Sequence, residues 1–198
     1  MEGFTAVPAN TAPWEDLQTV WGSGDCGRCQ CQRFKIGRYE WTPEPHEERV
    51  RQMRLQTTGA TTTGLIGYLG DEPVGWCAVE PRVNFPGLLG SRSPVVWKGR
   101  TERKDDDTVW SIACVATRVG YRRRGISAAL VEAAVTYARD CGARALEGYP
   151  MRTEPGRDIT WGGLHVGALS AFQDAGFVEV SHPTLRRHVM RIDFRTSP

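Results

Sequence analysis

Residues 109–142 constrain the fold more than any other part of the chain. They open with an apolar run, residues 109–115, of strand length and rich in β-branched side chains. A turn with glycine at Gly120 follows, and apolar residues then recur at helical spacing over residues 126–137. Gly142 stands just past the last turn, where glycine commonly ends a helix. The stretch therefore predicts a strand, a loop and a helix in succession.

The loop before this helix contains three consecutive arginines and a glycine, in the run Arg122-Arg123-Arg124-Gly125-Ile126-Ser127. Backbone N–H groups at a helix N-terminus have no intrahelical acceptor and lie at the positive end of the helix dipole. A glycine lets a ligand approach the backbone, and arginines add charge and forked donors. The loop therefore predicts a phosphate or pyrophosphate site. The alternative is a solvated charge run before an ordinary helix.

Three residues of this loop, Arg122, Gly125 and Ser127, match the pattern Arg/Gln-x-x-Gly-x-Gly/Ala, except that serine replaces the last small residue. In this respect the chain resembles motif A of the GNAT acyl-CoA N-acyltransferases. A second run resembles the family's later signature Asn-x-x-Ala-x-x-x-Tyr-x-x-x-Gly-Phe; it reads His165-x-x-Ala168-x-x-x-Phe172-x-x-x-Gly176-Phe177. The two motifs occur in the family's order, and with the strands between them they cover roughly residues 64–194.

The resemblance implies an α/β (α+β) fold, with a GNAT-like mixed, largely antiparallel, twisted sheet and helices on both faces. The order of elements read from the residues agrees with a layered domain of this class. Helices are predicted at residues 11–21, 44–56 and 165–175. Strands are predicted at residues 3–8, 144–150, 177–180 and 187–194, and as a hairpin at residues 64–70 and 74–80.

Two segments carry weaker patterns. The cysteine-rich segment 26–36 is predicted to pack as an irregular or extended piece. Residues 81–107 form a connection that is long for a compact domain, which indicates either disorder or function. Since it contains Phe85, Leu88 and Trp97, we interpret it as a substrate-side loop, with a plain packed excursion as the alternative.

The length of 198 residues fits one GNAT-like domain, residues 1–198, with residues 1–60 as a helical, cysteine-containing acceptor-side part. No apolar run approaches the roughly 18 residues that a membrane span needs. The N-terminus lacks a signal-peptide pattern, so we expect a cytoplasmic location and no membrane contact. The net charge of +2 does not predict a general nucleic-acid-binding surface. A homodimer is left open.

Six cysteines occur in the chain, and three of them, Cys26, Cys29 and Cys31, stand close together. Thiolates at this spacing can share one zinc ion. A structural zinc needs four ligands, however, and a zinc ribbon would show a second Cys-x-x-Cys pair, which the sequence lacks. We therefore predict free thiols and no metal site.

The resemblance also assigns residues to acetyl-CoA, the expected co-substrate. In the family the sheet splays beside the motif A strand, and the thioester lies in that splay. Backbone N–H groups near Cys114, Val115 and Ala116 would then polarise the thioester carbonyl. The loop Arg122, Arg123, Arg124, Gly125, Ile126 and Ser127 would hold the pyrophosphate. His165 and Phe172 would contact the co-substrate as well.

The catalytic acid and base are less clear, because the sequence departs from the family there. Phe172 stands where a tyrosine often protonates the leaving thiolate, and residues 110–115 contain no carboxylate. Glu80 is the first candidate base and Glu147 the second; each has a structural or solvent-facing role as its alternative. His165 could exchange protons, with helix capping as its alternative. Cys114 is a candidate nucleophile or a small apolar filler.

The predicted function is an N-acetyltransferase that moves an acetyl (acyl) group from acetyl-CoA to a primary amine of a small molecule by direct attack. One alternative is a catalytically weak acyl-CoA-binding sensor or interaction domain. Another is a GNAT-fold transferase that uses aminoacyl-tRNA, in which the clustered arginines would contact phosphates and binding would depend on salt.

Overall fold

Seven strands form one sheet in the computed structural model, which describes residues 1–22, 24–35, 45–90, 94–153 and 164–194. The strands are β1 Phe4–Pro8, β2 Gly64–Leu69, β3 Glu72–Pro81, β4 Val109–Thr117, β5 Ala145–Gly148, β6 Val178–Ser181 and β7 Val189–Asp193. Their order across the sheet is β1-β2-β3-β4-β5-β7-β6. The sequence predicts strands at all seven places, and each strand end lies within two residues of its predicted position.

The sheet is mixed and largely antiparallel. The neighbours β1–β2, β2–β3, β3–β4, β5–β7 and β6–β7 are antiparallel, and β4–β5 is the parallel pair. The predicted hairpin is present, since β2 turns directly into β3 around Gly70 and Asp71. This pairing confirms the predicted α/β fold class.

Helices flank the sheet on both faces. They are α1 Trp14–Trp21, α2 Asp25–Cys29, α3 His46–Thr58, α4 Pro86–Leu89, α5 Pro94–Trp97, α6 Ile126–Asp140 and α7 Leu169–Asp174. Short 3-10 turns lie at Ala9–Thr11, Gln32–Phe34 and Arg82–Asn84. The long helix α6 begins and ends where the apolar periodicity and Gly142 placed it. Among the described residues, no helix is long and apolar enough to cross a membrane.

The prediction of a helix from residue 165 is wrong for its first turn, because α7 begins only at Leu169. Residues before it pair with the sheet instead. Ala168 forms a parallel bridge with Met151, and the Leu169 N–H donates to the Met151 carbonyl at 2.9 Å. Gly167 has a φ of +89°, which is outside the right-handed helical region. Tertiary pairing thus overrides a local helical pattern.

The cysteine-rich segment is also more regular than predicted. Residues 25–29 form the short helix α2, and the Gln30 N–H closes its last turn on the Cys26 carbonyl at 2.9 Å. The 3-10 turn Gln32–Phe34 follows directly. Residue 36, at the end of the predicted segment, and residue 44, at the start of the second predicted helix, lie outside the described residues.

Two apolar clusters cover the two faces of the sheet. On one face, α6 buries Ile126, Leu130 and Val131 against β3, β4 and Phe172. On the other face, α1 buries Leu17, Val20 and Trp21 against Trp76 and Cys114.

Residues from the long connection 81–107 join this second cluster. Phe85, Leu88 and Trp97 are almost fully buried there, and the Trp97 indole N–H donates to the Leu88 carbonyl at 2.6 Å. The connection is therefore packed on the α1 face of the sheet, which agrees with the packed excursion given as the alternative.

Close packing of Phe172 against Gly148 gives a testable prediction. A Cβ added at Gly148 would lie 2.0 Å from the Phe172 ring, so Gly148→Ala forces the core apart. We expect the substitution to lower the free energy of unfolding by about 1–3 kcal/mol, the usual cost of overpacking. Urea unfolding measures this loss.

Gly59→Ala is the matched control. Gly59 has an ordinary φ of −67°, and an added Cβ would meet its nearest neighbour at 3.5 Å. An equal loss of stability in the two variants would contradict the packing argument.

Candidate functional site

The parallel strands β4 and β5 are paired only over the first half of β4. They pair only from Val109 with Ala145 to Ile112 with Gly148, whereas β4 continues to Thr117. At the same level the pairing of β3 with β4 shifts, because Val79 opposes Ile112 and Ala78 opposes Cys114. The extra residue on β4 is a bulge, which re-aims the strand as it leaves its neighbour. The sheet therefore opens beside the second half of β4.

A short segment of the chain, residues 164–168, lies in this opening. The Val115 N–H of β4 donates to the His165 carbonyl at 2.6 Å. On the other side, the Met151 N–H donates to the Gly167 carbonyl at 3.0 Å. The segment thus bridges β4 and the chain that leaves β5, and it uses a backbone donor at the opening.

A cavity of about 360 Å³ lies between this segment and the start of α6. Its walls come from the end of β4, the loop before α6 and the segment 164–168. The lining residues are Val115, Ala116, Thr117, Arg122, Arg123, Gly125, Ile126, Ser127, Leu164, Gly167 and Ala168. The structure therefore brings together seven of the residues that the sequence assigned to co-substrate binding.

The start of α6 has the chemistry of an anion site. Gly125 is its N-cap with a φ of +80°, and no side chain caps the first N–H groups. Arg122 and Arg123 are exposed at the mouth of the cavity. Arg124 is different, because its guanidinium lies over the Tyr121 ring at 5.2 Å and it does not line the cavity.

Three other predicted contacts lie outside the cavity lining. Phe172 is fully buried, and its ring packs beneath Gly148 and Gly167. The His165 ring stacks on Phe34 with 5.8 Å between centroids, although its carbonyl meets β4. Cys114 belongs to the apolar cluster on the α1 face of the sheet.

Glu80 lies on β3, opposite Ser111 of β4, and is 5% exposed. Its carboxylate forms an ion pair with Lys35 and accepts a hydrogen bond from the Thr63 hydroxyl. The Asn84 amide donates to the same carboxylate at 2.9 Å. Glu80 is thus a buried carboxylate with three partners, on the sheet face that also carries Cys114.

Glu147 lies at the centre of a buried charge network on β5. One carboxylate oxygen lies 2.6 Å from an Arg100 nitrogen, 3.2 Å from Arg82 and 3.2 Å from Arg191. The Tyr149 hydroxyl donates to the other oxygen at 3.1 Å. Burial raises the pKa of Tyr149, so its hydroxyl keeps the proton that it donates. These contacts occupy Glu147 and favour the structural alternative for it.

One residue near this site was missed as a functional candidate. In the sequence, Cys31 is weighed as a zinc ligand and predicted to be a free thiol, whereas in the structure the neighbouring Cys114 thiol on β4 lowers the pKa of Cys31. The Trp76 indole N–H also donates to Cys31 Sγ at 3.4 Å. In the sequence, the only sign of a role for Cys31 is the run of three nearby cysteines. The sequence does not show its contacts with Trp76 and Cys114, which are far along the chain.

A group of three residues away from the cysteines has ligand atoms close enough together to hold a metal ion. Glu179, His182 and His188 offer ligand atoms within 4.8 Å of one another, and in the described part of the chain no other set of three His, Cys, Asp or Glu side chains does so. The two imidazole rings are stacked, with centroids 4.0 Å apart. The absence of a metal site stays a prediction.

Comparisons with known proteins agree with this geometry. The model of the "Acetyltransferase (GNAT) family" matches residues 30–149. The fold is similar to a GCN5-related N-acetyltransferase from Kribbella flavida, with 17% identity, a TM-score of 0.56 and coverage of 98% of this chain and 99% of that one. It is also similar to an N-acetyltransferase from Staphylococcus aureus Mu50, with 11% identity, a TM-score of 0.53 and coverage of 96% and 98%. No curated protein matches the sequence significantly.

The Glu147 network gives a second prediction. Glu147→Gln removes the fully buried charge that three buried or nearly buried guanidinium groups share. We expect a loss of about 3–5 kcal/mol in the free energy of unfolding, as is usual when a buried ion pair loses one partner. Glu102→Gln is the control, because Glu102 pairs with Arg100 but its side chain is 40% exposed.

The control should lose at most about 1 kcal/mol, as exposed ion pairs do. Chemical denaturation of both variants at neutral pH makes the comparison. A Glu147→Gln protein as stable as the control would show that the carboxylate does not hold this network together.

Proposed function

Because the chain belongs to the GNAT acetyltransferase family, we propose that it transfers an acetyl (acyl) group from acetyl-CoA to a primary amine of a small molecule. The observation that carries this proposal is the glycine-capped start of α6, which opens into the cavity beside the free edge of β4. Both features suit a ligand with a phosphate end and a thioester end.

The residues present fit such a ligand. Gly125 has no side chain over the first N–H groups of α6, so a pyrophosphate can approach them closely. Arg122 and Arg123 add donors and positive charge at the mouth. The edge of β4 at Val115 can bind the chain of the ligand that carries the thioester. Since His165 already accepts the Val115 N–H, binding requires the segment 164–168 to shift.

The chain must also accept a proton from the amine. Glu80 remains our first choice of base, because it lies on the acceptor-side face, one strand from Cys114. Lys35, Thr63 and Asn84 hold its carboxylate in one orientation. Glu147 is the weaker candidate, since three arginines surround it. Backbone N–H groups at the bulge next to Cys114 would stabilise the oxyanion.

One observation favours a second candidate function, a domain that binds acyl-CoA without efficient catalysis. Phe172 stands where the family often has a tyrosine acid, and its fully buried ring offers no hydroxyl. Such a domain would use the same cavity. Turnover across a panel of amines separates it from an acetyltransferase.

Binding of acetyl-CoA gives the first test. We expect acetyl-CoA to raise the melting temperature, because a ligand selective for the native state stabilises it. Gly125→Glu should abolish this rise by covering the N–H groups and adding a like charge. Differential scanning fluorimetry at several acetyl-CoA concentrations measures both effects.

Gly120→Glu is the matched control for the binding test. Gly120 also has a positive φ, lies in the same loop and is exposed, but it does not line the cavity. It should lower the starting melting temperature comparably and retain the rise with acetyl-CoA. A retained rise in Gly125→Glu would contradict the site assignment.

The proposed base gives the next prediction. Glu80→Gln keeps the shape of the side chain and removes its basicity. We expect turnover of an amine acceptor to fall at least about a hundredfold at neutral pH, the lower end of the effect of losing a general base. The deficit should shrink at high pH, where more of the amine is already deprotonated. Thiol release from acetyl-CoA across a panel of amines measures the rate.

The control for this experiment is Glu132→Gln on the exposed side of α6. Both variants should still be stabilised by acetyl-CoA, which separates a catalytic loss from unfolding. Near-normal turnover in Glu80→Gln would mean that the carboxylate serves only to anchor Lys35 and the loop around it.

A further inference from the structure

Cys31 is held against the centre of the sheet by an unusual stretch of backbone. It follows α2 directly, and both Gln30 and Cys31 have positive φ angles, +49° and +52°. Residues with side chains rarely adopt this left-handed conformation, and two in succession are rarer still. The turn brings the partly buried Cys31 thiol from the end of α2 onto β3 and β4, next to Trp76 and Cys114.

The surroundings of this thiol favour its anionic form. The adjacent Cys114 thiol, the hydrogen bond from Trp76 and the charge of Lys35 hold the pKa of Cys31 below its ordinary value, although burial and the charge of Glu80 oppose this. The adjacent Cys31 thiol and burial raise the pKa of Cys114 instead. Burial also raises the pKa of Cys29. Of these three neighbouring thiols, Cys31 is therefore the one set up as a nucleophile.

Cys31 also lies beside the part of β4 that borders the candidate site. Its partner Cys114 directly follows the bulge in β4 and precedes Val115, which lines the cavity. From the same turn, Phe34 stacks on the His165 ring, and the His165 carbonyl accepts the Val115 N–H. Cys31 thus stands on the acceptor-side face of the strand along which the thioester would bind.

We propose that Cys31 is a catalytic nucleophile that carries the acyl group between acetyl-CoA and the amine. The inference rests on the proposed function and changes its route from direct attack to two transfers. In the first, Cys31 Sγ bonds to the acyl carbon, the bond from that carbon to the CoA sulfur breaks, and the CoA thiolate takes a proton from water. Oxyanion stabilisation comes from the backbone at the bulge.

In the second transfer, the amine nitrogen bonds to the acyl carbon and the bond to Cys31 Sγ breaks. Glu80 accepts the proton that the amine gives up and returns it to water, and Cys31 is again a thiolate. This route accounts for Phe172. Exchange between two thiolates does not require a protonated leaving group, so the tyrosine acid that the sequence lacks is not needed in the first transfer.

The experiment uses the full chain, reduced and treated with a chelator, mixed with acetyl-CoA in the absence of any amine. Intact mass spectrometry should show a gain of one acetyl group per chain, and peptide mapping should place it on Cys31. One equivalent of CoA should appear in a rapid burst. Cys31→Ser should lose both the adduct and the burst, whereas Cys141→Ser, which changes an exposed cysteine at the end of α6, should keep them.

Initial rates at varied concentrations of acetyl-CoA and of an amine acceptor give a second, independent readout. Parallel double-reciprocal plots are expected for two successive transfers through a covalent intermediate. Retained stabilisation of Cys31→Ser by acetyl-CoA shows that the variant is folded. With that control, loss of turnover in Cys31→Ser supports the proposal.

The proposal is overturned if Cys31→Ser turns over amines at a near-normal rate, if the acetyl group maps to another residue, or if the plots intersect. If the wild-type protein still transfers the acetyl group to an amine in these cases, the proposed function stands and only the route through Cys31 is lost. If the wild-type protein shows neither stabilisation by acetyl-CoA nor turnover with any amine, the proposed function fails together with the route.

Discussion

The contact between Phe172 and two glycines is the constraint on which the candidate site depends. The Phe172 ring fills the space beneath Gly148, the last residue of β5, and beneath Gly167 in the segment 164–168. A Cβ would lie 2.0 Å from the ring at Gly148 and 2.8 Å from it at Gly167. The ring therefore fixes two pieces of backbone at once. One is the end of β5, where β4 departs, and the other is a wall of the cavity.

On the opposite face, buried charge plays the organising role. Glu147 on β5 and the arginines around it join the sheet to the long connection, because Arg82 and Arg100 both come from residues 81–107. Similarly, the ion pair between Glu80 on β3 and Lys35 joins the segment that contains Lys35 to the sheet. Charges are costly to bury unless they are paired, so each pair fixes the position of the loop that supplies it. This face of the sheet is thus held together by paired charges as well as by apolar packing.

The sequence predicted well what local patterns determine. Residues 109–142 carry a strand period, a glycine turn and a helical period in order, and β4, the loop and α6 follow that order closely. The motif in this loop likewise predicted the loop residues that line the cavity. All of these features are contained in a few tens of residues.

Features that depend on contacts between residues far apart in the chain could not be predicted from the sequence. The first turn of the helix predicted from residue 165 is lost because Met151 pairs with Ala168, and no local pattern reports that pairing. Phe172 matched a contact position in the family's motif, yet it belongs to the core. The sequence marks Cys31 only as one of three neighbouring cysteines predicted to be free thiols, whereas its neighbour Cys114 in the fold is 83 positions away. A sequence of this kind shows which residues carry chemistry more readily than which of them meet.

The segment 164–168 has a consequence for any ligand of the opening beside β4. Its hydrogen bonds to Val115 and Met151 define a closed state in which a backbone donor of β4 is already satisfied. A ligand that needs this donor binds only the fraction of molecules in which the segment has moved, so its apparent affinity is the intrinsic affinity reduced by that fraction. Changes confined to the far side of the segment, such as those that weaken the bridge between Met151 and Ala168, would then tune affinity without touching the ligand.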